Sequence, residues 1–297
     1  MQVVAIHRYP VKSMLGEQVP RAVLTDRGLA GDRAYGVLDV ETGSIASAKV
    51  PRRWAAMLAF SAAYVEEPQA GAPVPPVAIT FPDGTVRRSD EPGVDAALSE
   101  VFGREVRLVS SAPEGSYFEE LWPDTDGLDP AALAPEKVVA ATTTRREETG
   151  EAISRFDVSA FGALGTFFDL SSLHVITEDT LDHLRSLSPD ATFDTRRYRP
   201  NLVLRGDGSG FAENDWPGST VGFGEAARIT YSFATMRCVM TTLAQGDLDR
   251  DPTTLRTIAK HNRIEVPQVG GVWACAGVYA DVAASGPIEV GDESVPA

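Results

Sequence analysis

Turn-forming residues interrupt this chain so often that most of its apolar segments can only be short strands. It carries 26 glycines and 20 prolines, with aspartates among them, spread along 297 residues. Residues 2–9 read as a strand stopped by Pro10, and residues 34–40, the turn Glu41-Thr42-Gly43-Ser44 and residues 45–50 as a hairpin. Residues 57–65 and 77–81 extend the antiparallel pattern, and 104–109, 201–205 and 228–235 add further strands. The end of the chain reads as a hairpin around Ser285-Gly286-Pro287. Helical spacing of apolar residues recurs at 94–102 and 253–263, and residues 171–187 read as a strand running into a helix with Glu178 and Asp179 in its first turn. Residues 110–157 are polar, proline-rich and weakly periodic, which predicts a long connection, either a linker or a lid. The fold class expected is α+β, strand-dominated and built on β-barrels with a few peripheral helices, rather than a doubly wound sheet.

The chain has 42 acidic and 27 basic residues, a net charge of −15 that argues against nucleic acid or an anionic membrane as partner. Its first residues lack the basic and apolar regions of a signal peptide, and no apolar run approaches the roughly 18 residues of a membrane helix. Two cysteines, Cys238 and Cys275, form no CxxC pair, so a reducing cytoplasm is the expected location.

Several familiar motifs fail. Gly206-Asp207-Gly208-Ser209-Gly210 follows a strand but lacks the third glycine and the helix of a dinucleotide loop. The acidic run 247–251 opens like a calcium loop, but Pro252 stands at the obligatory glycine place and Ile258 at the bidentate glutamate place. The histidines at 7, 174, 183 and 261 have no ligand spacing and read as structural.

Basic residues nevertheless concentrate beside turns in this acidic chain: Arg8 and Lys12 around Pro10, Asp32-Arg33 after two glycines, Lys49 with Arg52 and Arg53, and three arginines in 196–199. Guanidinium forks and glycine-freed amides are what a small polyanion requires. Cys238 follows Arg237, and an adjacent cation favours thiolate, the form that attacks and binds metals. A cysteine in a strand is also an ordinary small hydrophobe, and strand neighbours face opposite ways, so both readings stand on the residues alone. Cys275, inside an apolar stretch, reads as packing.

The segments YPVKS, GLAGDR, RYRPNLVLRG, FAENDW, MRCVMTT, TLRTIAKHNR and GPIEVGD occur in the order seen in MOSC-domain proteins. The chain resembles that family, and within it the amidoxime-reducing components of mitochondria and their bacterial relatives. The likeness covers roughly residues 3–54 and 172–292 and implies a MOSC N-terminal β-barrel domain over 1–115 and a MOSC β-barrel domain over 116–297. It further implies the molybdenum cofactor (Mo-molybdopterin), with Cys238 as metal ligand and catalytic centre. Lys12, Ser13, Arg33, Arg199 and Asn201 are its implied binders, joined by Thr177, Thr235 and Arg237. The activity implied is reduction of small N-hydroxylated substrates, the cofactor carrying the hard step. No four-cysteine iron–sulfur set remains, so electrons would come from a separate flavin or iron–sulfur protein. The alternative is a sulfur carrier or cofactor-transfer protein using Cys238 as persulfide or metal ligand.

Overall fold

The structure is a computed structural model that describes residues 1–122, 144–145, 152–158, 165–206 and 208–297. Its largest sheet runs in the order Glu17–Val19, Gln2–Arg8, Leu202–Arg205, Leu173–Thr177, Val272–Ala284, Ala227–Met236, Thr220–Phe223 and Val295–Pro296, with Arg263–Glu265 on Val272–Ala284. Register places Ile6 opposite Leu202, Leu202 beside Val175, and Val175 opposite Val278. These four side chains are buried in one cluster, so β-branched and leucine residues form a continuous apolar row across four strands.

A second sheet orders Val106–Val109, Gly36–Asp39, Ser44–Ile45, Tyr117–Trp122, Ala152–Asp157 and Thr144–Arg145, and Ser61–Tyr64, Val77–Thr80 and Val86–Arg88 form a third. Trp54, Phe60, Phe81 and Leu98 fill the core shared by these sheets. The helix Val94–Phe102 covers that core and ends where Gly103, at φ 63°, accepts the left-handed cap a side chain would resist. The fold is strand-dominated α+β, as expected. Sheet membership crosses residue 115: Gln2–Arg8 and Arg21–Thr25 pair with strands from beyond residue 172.

Three local expectations are corrected. Residues 45–50 extend the hairpin only through Ile45 before the short helix Pro51–Trp54, because Pro51 favours a first helical turn. The strand expected at 57–65 starts at Ser61, since a 3₁₀ turn, Ala55–Ala59, aims Met57 and Leu58 inward. Val272–Ala284 and Gly286–Glu289 are no hairpin: Arg228 already pairs with Ala284, and Gly286–Glu289 crosses to Arg21–Thr25 instead. Within 110–157, Tyr117–Trp122 and Ala152–Asp157 pair as antiparallel strands; residues 123–143 and 146–151, where a linker or lid was expected, lie outside the described residues. Among the described residues no helix is long and apolar enough to cross a membrane.

Candidate functional site

The turn after Gln2–Arg8 carries Lys12 and Ser13 into the protein, both buried. Ser13 adopts φ 64° and its Oγ accepts from the Ala48 amide at 3.1 Å. Arg33, at φ 46°, and Arg199, at φ 54°, share this left-handed strain. Among the described residues only four non-glycine positions have positive φ, and three of them are these predicted site residues. Such strain persists where surrounding contacts over-determine it, and it clusters at functional sites.

Those contacts are specific. Asp32 accepts from the Tyr9 amide at 2.7 Å and from Asn201 Nδ2 at 2.9 Å, and it is ion-paired with Arg33. Asn201 Oδ1 accepts from the His174 amide at 3.1 Å, and Arg199 donates to the Met14 carbonyl at 2.7 Å. Arg33 and Arg199 flank the Tyr9 ring at 4.6 and 4.3 Å. Burial and the nearby Arg33 bring the pKa of Arg199 down to about 10. Burial raises that of Tyr9 to about 12.

The thiol arrives from the other side. Register shifts in Ala227–Met236, at Tyr231/Ala234 and Ala234/Met236, bend the strand's end before Cys238, which begins the 3₁₀ turn Val239–Thr242. Cys238 packs with Ala48, Leu58, Met240 and Leu243, so the cysteine loop of the C-terminal half meets the Ala48-Lys49 turn of the N-terminal half. Burial pushes the Cys238 thiol up, and Lys49 is the largest opposing influence, ahead of Arg237. Arg237 is therefore the weaker of the two cations at the thiol. Its guanidinium donates to the Tyr198 carbonyl at 2.7 Å and lies 3.2 Å from His174 Nε2.

Sequence reasoning noticed Lys49 only as one of a basic cluster, and missed Asp169 and His174 as site residues. Lys49 Nζ donates to Glu120 at 3.1 Å and lies 3.6 Å from Asp169, which is also ion-paired with Lys12. Burial lowers the pKa of Lys49, but Asp169 and Glu120 overcome it and raise the value. A proline-stopped turn and an adjacent basic run were the only signals for Lys49; Asp169 sits in an aromatic stretch with none.

Gly277 explains how His174 fits: at φ 83° a Cβ would stand 2.6 Å from both His174 Nε2 and the Val175 carbonyl. Burial, then Arg237, hold the His174 pKa well below 6.5. The folded protein keeps this imidazole neutral while the unfolded chain protonates it below that value. Its contribution to stability is thus present above about pH 6.5 and lost as pH falls, at up to about 1.4 kcal/mol per pH unit. Thermal melts at pH 7.5 and pH 5 should show a larger fall in Tm for the wild type than for His174→Gln; equal falls would exclude His174 as the source.

Thr177 is placed elsewhere: it caps the helix Glu178–Leu187 and its hydroxyl donates to the buried Glu213 at 2.9 Å, so its polar atoms are committed to the fold. Thr235 Oγ1 and Arg237 Nε, by contrast, are buried with no hydrogen-bond partner. Cys275 is fully buried, its pKa raised by burial to about 12, in keeping with packing. No group of three or more His, Cys, Asp or Glu among the described residues could hold a metal ion by itself. The acids of 247–251 serve as partners instead, Asp247 pairing with Arg196 and Asp251 accepting from the Thr192 amide.

A family model described as the MOSC domain matches residues 165–295, and one described as the MOSC N-terminal beta barrel domain matches residues 1–70. Among solved structures, the YUAD protein from Bacillus subtilis is similar at 8% identity and TM-score 0.46, covering 99% of this chain and 93% of its own. YiiM from Geobacillus stearothermophilus is similar at 17% identity and TM-score 0.32, covering 43% of this chain and 54% of its own. No curated protein matches this chain in sequence.

Proposed function

We propose, from the premise that this chain is a MOSC domain-containing protein, that it holds the molybdenum cofactor between its two halves and reduces N-hydroxylated compounds. The MOSC domain is associated with molybdenum-cofactor binding at the family level. The observation that carries the reading for this chain is the convergence of Lys12, Arg33 and Arg199 on strained or buried backbone with a single soft ligand, Cys238.

The residues fit the group. A phosphorylated pterin needs cations in an otherwise acidic protein, and Lys12, Lys49, Arg33 and Arg199 supply them. The cofactor's polar ring needs donors and acceptors, and Thr235 Oγ1 and Arg237 Nε are buried and unpaired. Thiolate suits a high-valent metal held otherwise by sulfur, and Cys238, the ligand that the family resemblance implies, would supply it. When bound, the cofactor supplies two-electron oxygen-atom chemistry, converting R–NH–OH to R–NH2 and water.

The chain's own contribution is binding and orientation. Arg33 is fixed by the Asp32–Asn201 network, Arg199 by the Met14 carbonyl and Ser13 by the Ala48 amide before any ligand arrives, which spares the ordering cost at binding. Cys238 is held by packing on the Ala48 turn, with Lys49 favouring the thiolate that metal binding requires. Electrons would come from a separate donor protein.

Protein expressed in a host that makes the cofactor should contain molybdenum and should turn over an amidoxime with a chemical reductant. Metal-loaded protein inert toward every N-hydroxylated compound tried would reject the reductase reading. Metal-free protein bearing a persulfide on Cys238 would favour a carrier.

A further inference from the structure

Asp169 occupies an unusual position. Its Oδ1 pairs with Lys12 and its Oδ2 lies 3.6 Å from Lys49, so one carboxylate spans two buried ammonium groups with one oxygen on each. Two oxygens on one centre, each facing a separate cation, is also how a phosphate would engage this pair. The lysine side chains are 5% and 8% exposed, whereas Asp169 is 32% exposed. Solvent therefore reaches the pair from the carboxylate's side.

Asp32, the other acid of the cradle, is different. Its side chain is fully buried and locked by the Tyr9 amide and Asn201. Among the described residues the Asp169 carboxylate is bound only by the two lysines. Each lysine keeps a second acceptor: Lys12 donates to the Phe167 carbonyl at 2.9 Å, and Lys49 to Glu120 at 3.1 Å. Moving Asp169 aside would leave neither ammonium without a partner.

We propose that Asp169 is a displaceable stand-in for a phosphate-class anion, holding the Lys12–Lys49 pair until that anion replaces it, and that Lys49 is a further ligand of the same anion. The inference rests on the cradle being an anion site, as the cofactor reading requires, but not on molybdenum. A ligand that must first displace an internal competitor binds with its affinity reduced by the fraction of protein in the open state. Removing the competitor restores that factor.

The test uses metal-free full-length protein and inorganic phosphate. Asp169→Asn, its folding checked by circular dichroism and thermal melting, should bind phosphate at least about tenfold more tightly than wild type. Equal or weaker binding would overturn the proposal, since a carboxylate that merely positions the lysines predicts a loss. A second measurement needs no variant. The chain has four lysines, and in wild-type protein with labelled lysine the signals of Lys12 and Lys49 should shift along one saturation curve as phosphate is added. Shifts confined to Lys137 and Lys260, or none at all, would equally overturn it. Because no metal is present, this outcome is independent of whether the protein takes up molybdenum.

Discussion

Replacing Cys238 with alanine should empty the protein of molybdenum and reduce turnover of an amidoxime by at least about a hundredfold, the upper end of what loss of a supporting residue around a metal causes. The fold should survive. Cys238 begins a short 3₁₀ turn that is held by backbone bonds and by the packing of Met240 and Leu243, which the substitution leaves in place. Cys275→Ala is the control: that thiol is buried against Trp273 and Val266, remote in role from the cradle, and the variant should retain its metal. Elemental analysis and thermal melting of both variants decide the matter. Metal retained at wild-type level in Cys238→Ala would remove the cysteine from the coordination sphere.

Asp32→Ala should lower stability by about 3–5 kcal/mol, the cost of stranding a buried charge by deleting its partner. Three groups lose their acceptor at once: the Tyr9 amide, Asn201 Nδ2 and the Arg33 guanidinium. Arg33 keeps only long bonds of 3.4 Å to Asn201 Oδ1 and to the Arg199 carbonyl. Because the strained backbone of Arg33 and Arg199 is held by this network, cofactor binding should weaken together with stability. Denaturant titration of Asp32→Ala beside Asp32→Asn measures it, with the asparagine variant expected to lose less because it keeps an acceptor oxygen. A loss below about 1 kcal/mol in the alanine variant would mean the network is not what holds the cradle.

Much of the cradle was legible because its residues sit in turns, and turns leave strong local marks. Pro10 ahead of Lys12, the glycines ahead of Asp32-Arg33 and the arginine run 196–199 are signals a single sequence carries. The strand leading to Cys238 was also legible, as the segment 228–235. Its bulges were not, since a bulge depends on what the partner strand offers. Residues 57–60 misled because an apolar run fits a strand and a tight turn equally until Trp54 and Phe60 find a shared core. Gly286–Glu289 misled because a tight turn after a long strand implies a hairpin, yet the partner edge was already taken.

The sequence by itself determined the class of the fold, the sites of its turns, the concentration of positive charge in an acidic chain and the cysteine at risk of being chemistry. Only the tertiary structure decided which charge serves what. Arg237, next to the thiol in sequence, is turned to His174 and Tyr198, while Lys49, 189 positions away, is the cation that the thiol feels most. Asp169 carries no mark of its own and becomes significant only where it meets Lys12 and Lys49. The reason is the range of the forces. Turn preference is decided by a residue and its immediate neighbours, whereas the electrostatics of a buried site depends on separation in space, and distant strands set that separation.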